Sequence, residues 1–390
     1  MSDIEALLLV ILIIYLLECV YWTPRGSVAV RSLFGLPCNL AHPSAFVGNR
    51  NGGFVGLNPL PPFDPAYICN QYALSLSPHA AYSYVSQAIN PEGRPDQLAR
   101  YVPFDEMQEI TVDGSKISIN GDLFSDVGSP HLATHLVDLL RTLAATTKDL
   151  RSEVIDEELA SITNVDNIRK EARYFKDNTR YLLLWCHLVF IELFVFVPCL
   201  FILPRSALLW SAYGIVIVLI TVCALSEFHS SHKALYPQWT VERWTKIALM
   251  CLMPPSVIRA RCLLARELLA LYHPLAVVHA LCTKMVIRRV SQNVLRDLRF
   301  PMMPVCPSND PEVQETERWF RCRLQSQLEN VVLRSESDLD ALVMHARSDD
   351  PECRSYCPRC GQQYVLLQGG CDACGGIELM RCHNGNELRE

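Results

Sequence analysis

Two long apolar runs, residues 181–203 and 207–225, divide the chain. Each is about the length that a helix of roughly 20 residues needs to cross a bilayer's hydrocarbon core. Only Pro204, Arg205 and Ser206 separate them, too little chain to hold a domain. The pattern therefore predicts a transmembrane hairpin with both flanks on one side. A third apolar run opens the sequence at residues 5–22. Its leader carries Asp3 and Glu5 instead of basic residues, and Tyr21, Trp22 and Arg25 close it where a cleavage site would show small residues. These flanks predict an uncleaved span with interfacial aromatics. Glu18 falls at its carboxyl end, near the headgroups.

Between the spans the periodicity changes. Residues 23–180 begin with a stretch rich in Gly, Pro and Asn, which favours loops and short strands. In EITVDGSKISING two β-type runs flank Asp113-Gly114, a favoured hairpin pair. Ser129-Pro130 then opens a helix with Leu132, Leu136, Leu139, Leu140 and Leu143 at helical spacing. Residues 148–180 read as a charged helix running into the membrane. This is the pattern of an α+β domain.

After the hairpin, residues 226–347 read as a mainly helical region that opens with an interfacial connector at 227–244 carrying Tyr236, Trp239 and Trp244. Residues 262–287 are long enough to span but contain Arg266, Glu267, His273, Pro274, His279 and Lys284. Such a load predicts a soluble or membrane-lying helical pair. The fold class is thus a multi-domain membrane protein, with three transmembrane helices, an α+β domain, a helical region and a small C-terminal module at 353–382.

Charge orients this arrangement. Arg169, Lys170, Arg173, Lys176 and Arg180 crowd the entrance to the second span, Lys233, Arg243 and Lys246 follow the third, and Arg205 stands alone in the turn. The positive-inside rule then puts the amino terminus outside and the bulk of the chain inside. In a bacterial inner (plasma) membrane, inside is the cytoplasm. Hydrophobic residues make up 50% of the 390-residue chain, apolar enough for a few spans but not for a polytopic carrier. The net charge of −6 offers no general attraction to nucleic acid. The 17 cysteines are odd in number, and no Asn-x-Ser/Thr sequon occurs. Both features point to a reducing compartment, with free thiols and a metal site instead of a disulfide framework.

The metal site is visible as Cys357-Pro-Arg-Cys360-Gly361 and Cys371-Asp-Ala-Cys374-Gly375-Gly376. Each C-x-x-C puts two thiolates on one tight turn, and the trailing glycine lets backbone N–H groups approach the sulfurs. The intervening QQYVLLQGG can fold as a hairpin that joins the turns into a tetrahedral site. These residues resemble the zinc-ribbon family over about residues 353–382. The resemblance implies Zn²⁺ bound by Cys357, Cys360, Cys371 and Cys374. Four thiolates leave no open coordination position, so the ion would be structural. Rubredoxin-type iron knuckles are more widely separated, which favours zinc. Cys353, Cys382 and His383 are spare donors or ordinary neighbours.

Other residues carry a functional and a plainer reading. Glu192 lies mid-span, with His187 five positions earlier on another face; a protonated carboxyl bonded to a neighbouring helix competes with an active role. Glu227, His229 and His232 suggest metal binding below the bilayer or a solvated polar turn. His273 and His279 sit among leucines and read as packed residues. Arg259, Arg261, Arg266, Arg288 and Arg289 fit headgroup contact or a solvated face. Metalloprotease, P-loop, nucleophile-elbow and dinucleotide signatures are all absent from the sequence. The resulting expectation is a non-enzymatic membrane-anchored scaffold or binding protein. Its partners would be the bilayer, a protein and a second copy through the membrane helices. Two alternatives compete with it. One is a membrane enzyme acting on lipid or peptide through Glu192 and His187 or through His229 and His232; the other is an accessory subunit of a larger membrane complex.

Overall fold

The computed structural model describes residues 74–84, 99–127, 129–202, 207–252, 254–281, 284–300, 310–334, 339–343, 352–359, 361–374 and 376–382, with six positions between residues 6 and 13. Most of the first expected span lies outside these residues. Within it Ala6, Leu7, Leu9, Val10, Ile11 and Ile13 are helical, and Leu7, Val10, Ile11 and Ile13 are exposed.

Two three-stranded antiparallel sheets come first. One is β1 (Leu74–Leu76), β2 (Ala80–Tyr84) and β3 (Ala99–Pro103), and the other is β4 (Ile110–Asp113), β5 (Lys116–Ile119) and β6 (Asp122–Asp126), each in sequence order. The β4–β5 turn falls one residue later than the sequence suggests. Asp113 pairs with Lys116, so the loop is Gly114-Ser115, with Gly114 at φ 58°. Positive φ at the first loop residue is the position that calls for glycine. The next loop is Asn120-Gly121, at φ 54° and 84°, as a two-residue turn with both residues left-handed requires. The Asn120 carboxamide oxygen also accepts the N–H groups of Gln108 (2.9 Å) and Glu109 (3.0 Å).

Helix α1 (Pro130–Ala145) begins as its sequence predicts. Ser129 Oγ accepts the Leu132 N–H at 3.2 Å, and Pro130 occupies the first turn, where no N–H is needed. Its leucine stripe, Leu132, Leu136, Leu140 and Leu143, is fully buried against Ile117, Ile119 and Phe124, and against Ile155 and Leu159 of α2 (Lys148–Ile162). The charged stretch that reads as one helix is two. Thr163 ends α2, and Asn164 caps α3 (Val165–Asn178) by accepting the N–H groups of Asp166 and Asn167. Thr179 then leads into α4 (Arg180–Ile191).

Helix α4 continues through a π turn, Glu192–Phe196, into α5 (Val197–Ile202). Pro198 explains the wider turn: it offers no N–H and its ring would collide with the carbonyl one α-turn earlier. The Glu192 carbonyl accepts the Val197 N–H and also the Tyr213 hydroxyl (3.1 Å) from α6 (Ala207–Leu235). Helix α6 runs well past residue 225. Between residue 225 and Pro237 there is no glycine or proline, so the first part of the expected connector is helical, and Ser231 and His232 are buried instead of solvated.

Arg180–Leu200 and Leu208–Leu235 are the two described helices long and apolar enough to cross a membrane. Their most apolar windows are only 17% and 11% buried. Core helices of a soluble protein would be mostly covered, and these two are not. The pair is antiparallel. Ser231 Oγ donates to the Asn178 carbonyl at 2.8 Å, so both flanks emerge at the same end.

The helical region comprises α7 (Thr240–Leu252), a 3-10 segment at Pro254–Arg259, α8 (Ala260–Leu269), α9 (Pro274–Leu281), α10 (Lys284–Arg299), α11 (Pro311–Leu333) and α12 (Leu339–Val343). Residues 262–287 are therefore interrupted helices, broken at His273-Pro274 and each too short to cross a bilayer. They pack in a core with Leu182, Cys186, Phe228 and Val332. The two soluble segments that the sequence separates also share the sheet core, which takes in Ala270 and Phe320. Buried Ser129 Oγ donates to Glu267 Oε2 at 2.6 Å, and Ser77 and Thr316 hydroxyls meet at 3.2 Å.

Candidate metal centre

The C-terminal module is made of two-residue strands: β7 (Ser355–Tyr356), β8 (Gln363–Tyr364), β9 (Gly370–Cys371), β10 (Ile377–Glu378) and β11 (Met380–Arg381). They pair as β11-β7-β8 and β10-β9. Sheets this small cannot hold themselves together, so the turns between them carry the module.

Both turns are tied alike. The Cys357 carbonyl accepts the Gly361 N–H, and the Cys371 carbonyl accepts the Gly376 N–H, each at 2.9 Å. Gly361 and Gly376 lie at φ 79° and 86°, where side chains are disfavoured. Gly370 is required for another reason: a Cβ there would sit 3.0 Å from the Gly376 backbone. The turns converge the sulfurs of Cys357, Cys371 and Cys374 to within 4.8 Å of one another, all buried. Thiolates at about 2.3 Å from a tetrahedral ion stand about 3.8 Å apart, so the spacing fits a metal. The Tyr364 hydroxyl donates to Cys371 Sγ at 3.0 Å, the kind of outer contact that orients a metal-bound thiolate. Cys360, the fourth expected ligand, lies outside the described residues, as does His383. Cys353 precedes β7 and is buried, and Cys382 follows β11 and is half-buried; both lie outside the three-sulfur group. Arg359 Nη1 donates to the Phe300 carbonyl (2.8 Å) and fastens the module to the end of α10.

Among the described residues, no other group of three or more His, Cys, Asp or Glu side chains is placed to hold an ion. The alternative candidates are scattered. His187 Nδ1 lies 2.7 Å from the Leu183 carbonyl of its own helix. His229 packs on Trp244 (5.1 Å between ring centres), and His232 lies between Phe228 and Tyr236 (5.7 and 5.4 Å). His273 Nδ1 accepts the Leu275 N–H at 3.2 Å, and the His279 ring meets Ser291 at 2.8 Å. Burial pushes these two imidazoles down to about 3 and about 4, so both are neutral packing groups. Of the arginines expected at headgroups, Arg261 is buried, its Nε bonded to Thr179 Oγ1 at 3.1 Å, while Arg288 is exposed.

Sequence reasoning missed one cluster. Glu242, Arg243 and Lys246 turn into the protein from α7, where Lys246 pairs with Glu242 (2.7 Å) and lies 3.9 Å from Glu267. Their spacing of three and four residues on a helix with an apolar opposite face is the signal that could have revealed them.

No protein-family model matches the chain, and no curated protein or solved structure matches it either.

Proposed function

We propose that this chain is a membrane-anchored binding protein whose C-terminal zinc ribbon, held by Cys357, Cys360, Cys371 and Cys374, presents an apolar tip to a protein partner in the cytoplasm. One observation carries this reading. Between the two turns Val365, Leu366 and Leu367 are 61%, 64% and 46% exposed, three consecutive large apolar residues on a rigidly tied loop. Nothing in residues 362–370 is charged. An uncharged apolar projection suits a groove on another protein, and it lacks the basic residues that a nucleic-acid surface requires. The convergence of buried thiols supports zinc as the ion that holds the tip, and a filled thiolate shell suits a structural role better than a catalytic one. The scatter of His187, Glu192, His229 and His232 supports a binding role over an enzyme acting on lipid or peptide. Positive charge at both flanks of the hairpin favours their cytoplasmic placement.

Leu366→Asp tests the reading. The full chain purified in mild detergent should retain a stoichiometric protein partner as wild type. The variant should lose that partner while keeping one zinc per chain. A partner retained by the variant, or a wild-type chain that purifies alone, would overturn the proposal.

A further inference from the structure

Helix α7 is inside out for a helix in water. Val241 (81% exposed), Trp244 (56%), Leu249 (59%) and Leu252 (80%) lie along one outward stripe, at spacings of three, five and three residues. The charged residues face the opposite way. Arg243 is buried, and the Lys246–Glu242 pair is three-quarters or more covered. A water-facing helix turns its apolar stripe to the core and its charges out.

The position of α7 relative to the two candidate spans shows what surrounds that stripe. Two bonds mark the base of the spans: Ser231 Oγ to the Asn178 carbonyl (2.8 Å) and Arg261 Nε to Thr179 Oγ1 (3.1 Å). From that base α7 runs back alongside α6, with the Trp244 ring packed at a tilt against His229. The chain then turns at Pro254-Pro255 and touches α4 where Cys186 Sγ donates to the Val257 carbonyl at 3.3 Å. Cys186 stands seven residues along the helix from Thr179, about 10 Å at 1.5 Å per residue. By Arg261 the chain is back at the base.

We infer that residues 240–259 form a re-entrant hairpin. It enters the leaflet from which the two spans start, turns about 10 Å inside it, and faces the lipid acyl chains with Val241, Trp244, Leu249 and Leu252. The occupant is lipid because the stripe lies beside the two candidate spans, whose own apolar faces are equally uncovered, and α7 joins them side by side at the His229–Trp244 contact. Backbone outside an α-helix is tolerated at this depth only where protein covers it, and in the 3-10 segment Val257 and Ile258 are fully buried. The inference rests on the two helices crossing a bilayer and is independent of the zinc ribbon and its partner.

The test uses the full chain in phospholipid nanodiscs. Because 17 cysteines rule out thiol labelling, a ketone-bearing residue is introduced at position 249 or 252 and coupled to a nitroxide. Leu150, exposed on α2, serves as the water-facing reference. At both α7 positions oxygen should broaden the signal strongly, and a water-soluble nickel chelate should lose its effect, with position 252 deeper than 249. Nickel access equal to that at position 150 would show a surface open to water. Shielding from both agents would show a stripe covered by another protein or a second copy. Either result would overturn the inference. A label in the Pro204–Ser206 turn, expected to be open to nickel, checks separately that the spans themselves cross.

Discussion

Cys371→Ser should strip the chain of its metal and unfold residues 353–382 while leaving the helical body intact. Wild type should hold one zinc per chain, and the variant should read at background. The effect is expected to be large because little else supports the module. Its buried cluster is three cysteines and Leu379, with Tyr364 and Ile377 packed beside them. A core that small cannot offset the conformational entropy of about thirty ordered residues, at about 1–2 kcal/mol each. A structural zinc site contributes on the order of 10 kcal/mol at neutral pH. Limited proteolysis should therefore cut the variant within 353–382, and a strong chelator should make wild type behave the same way. Metal content and cleavage pattern unchanged by the substitution would refute a metal role for Cys371.

Arg151→Ala should be the most damaging single change in the sheet domain. The guanidinium is buried where α1 ends. Its Nε donates to the carbonyls of Leu143 (2.9 Å) and Thr146 (3.0 Å), its Nη1 to Pro78 (3.2 Å), and its Nη2 to Asp105 (2.9 Å). It also lies over the Phe104 ring. Truncation takes the side-chain donor from the part-buried carbonyls of Thr146 and Pro78 and leaves the buried Leu143 carbonyl only the Thr146 N–H at 3.3 Å; at about 1–3 kcal/mol for each lost bond, a total loss of about 3 kcal/mol is expected. Hydrogen exchange should accelerate across β1, the end of α1 and the start of α2. Asp105→Asn should cost far less, because that carboxylate is 83% exposed. The ion pair also has a pH sign. Its hydrogen bond with Arg151 holds the Asp105 carboxyl below its ordinary 3.8. The stability it adds is therefore present above 3.8 and fades as pH falls through the lower folded value. Asp105→Asn should remove that acid dependence.

The sequence was legible where one physical signal dominated locally. Unbroken apolar length marked the hairpin helices, Ser129-Pro130 marked the start of α1, and paired C-x-x-C motifs with glycines marked the converging turns. Legibility failed where tertiary contacts decide. Asp113-Gly114 drew attention as a turn pair, while the stronger Asn120-Gly121 signal went unread; register then set the first loop at Gly114-Ser115. The break at Thr163-Asn164 was hidden because charge on both sides made the stretch look continuous, although Asn164 is a good cap. Ser231 and His232 looked solvated because their burial depends on packing such as the bond from Ser231 to Asn178 of α3, 53 positions away. Pairing of Ser129 with Glu267 across 138 positions leaves no local trace at all. The polar face of α7 was obscured for a related reason. Residues up to Trp244 read as an interfacial connector, and packing shows that Glu242, Arg243 and Lys246 point inward.

The most direct test of the account is the sidedness of the chain. Reporters active only in the cytoplasm and only in the periplasm would be placed after residue 150, within the Pro204–Ser206 turn, and after residue 390 of the full protein in bacterial cells. The account predicts cytoplasmic signals at 150 and 390 and a periplasmic signal from the turn. Signals from opposite sides at 150 and 390 would contradict the hairpin and, with it, the cytoplasmic zinc ribbon.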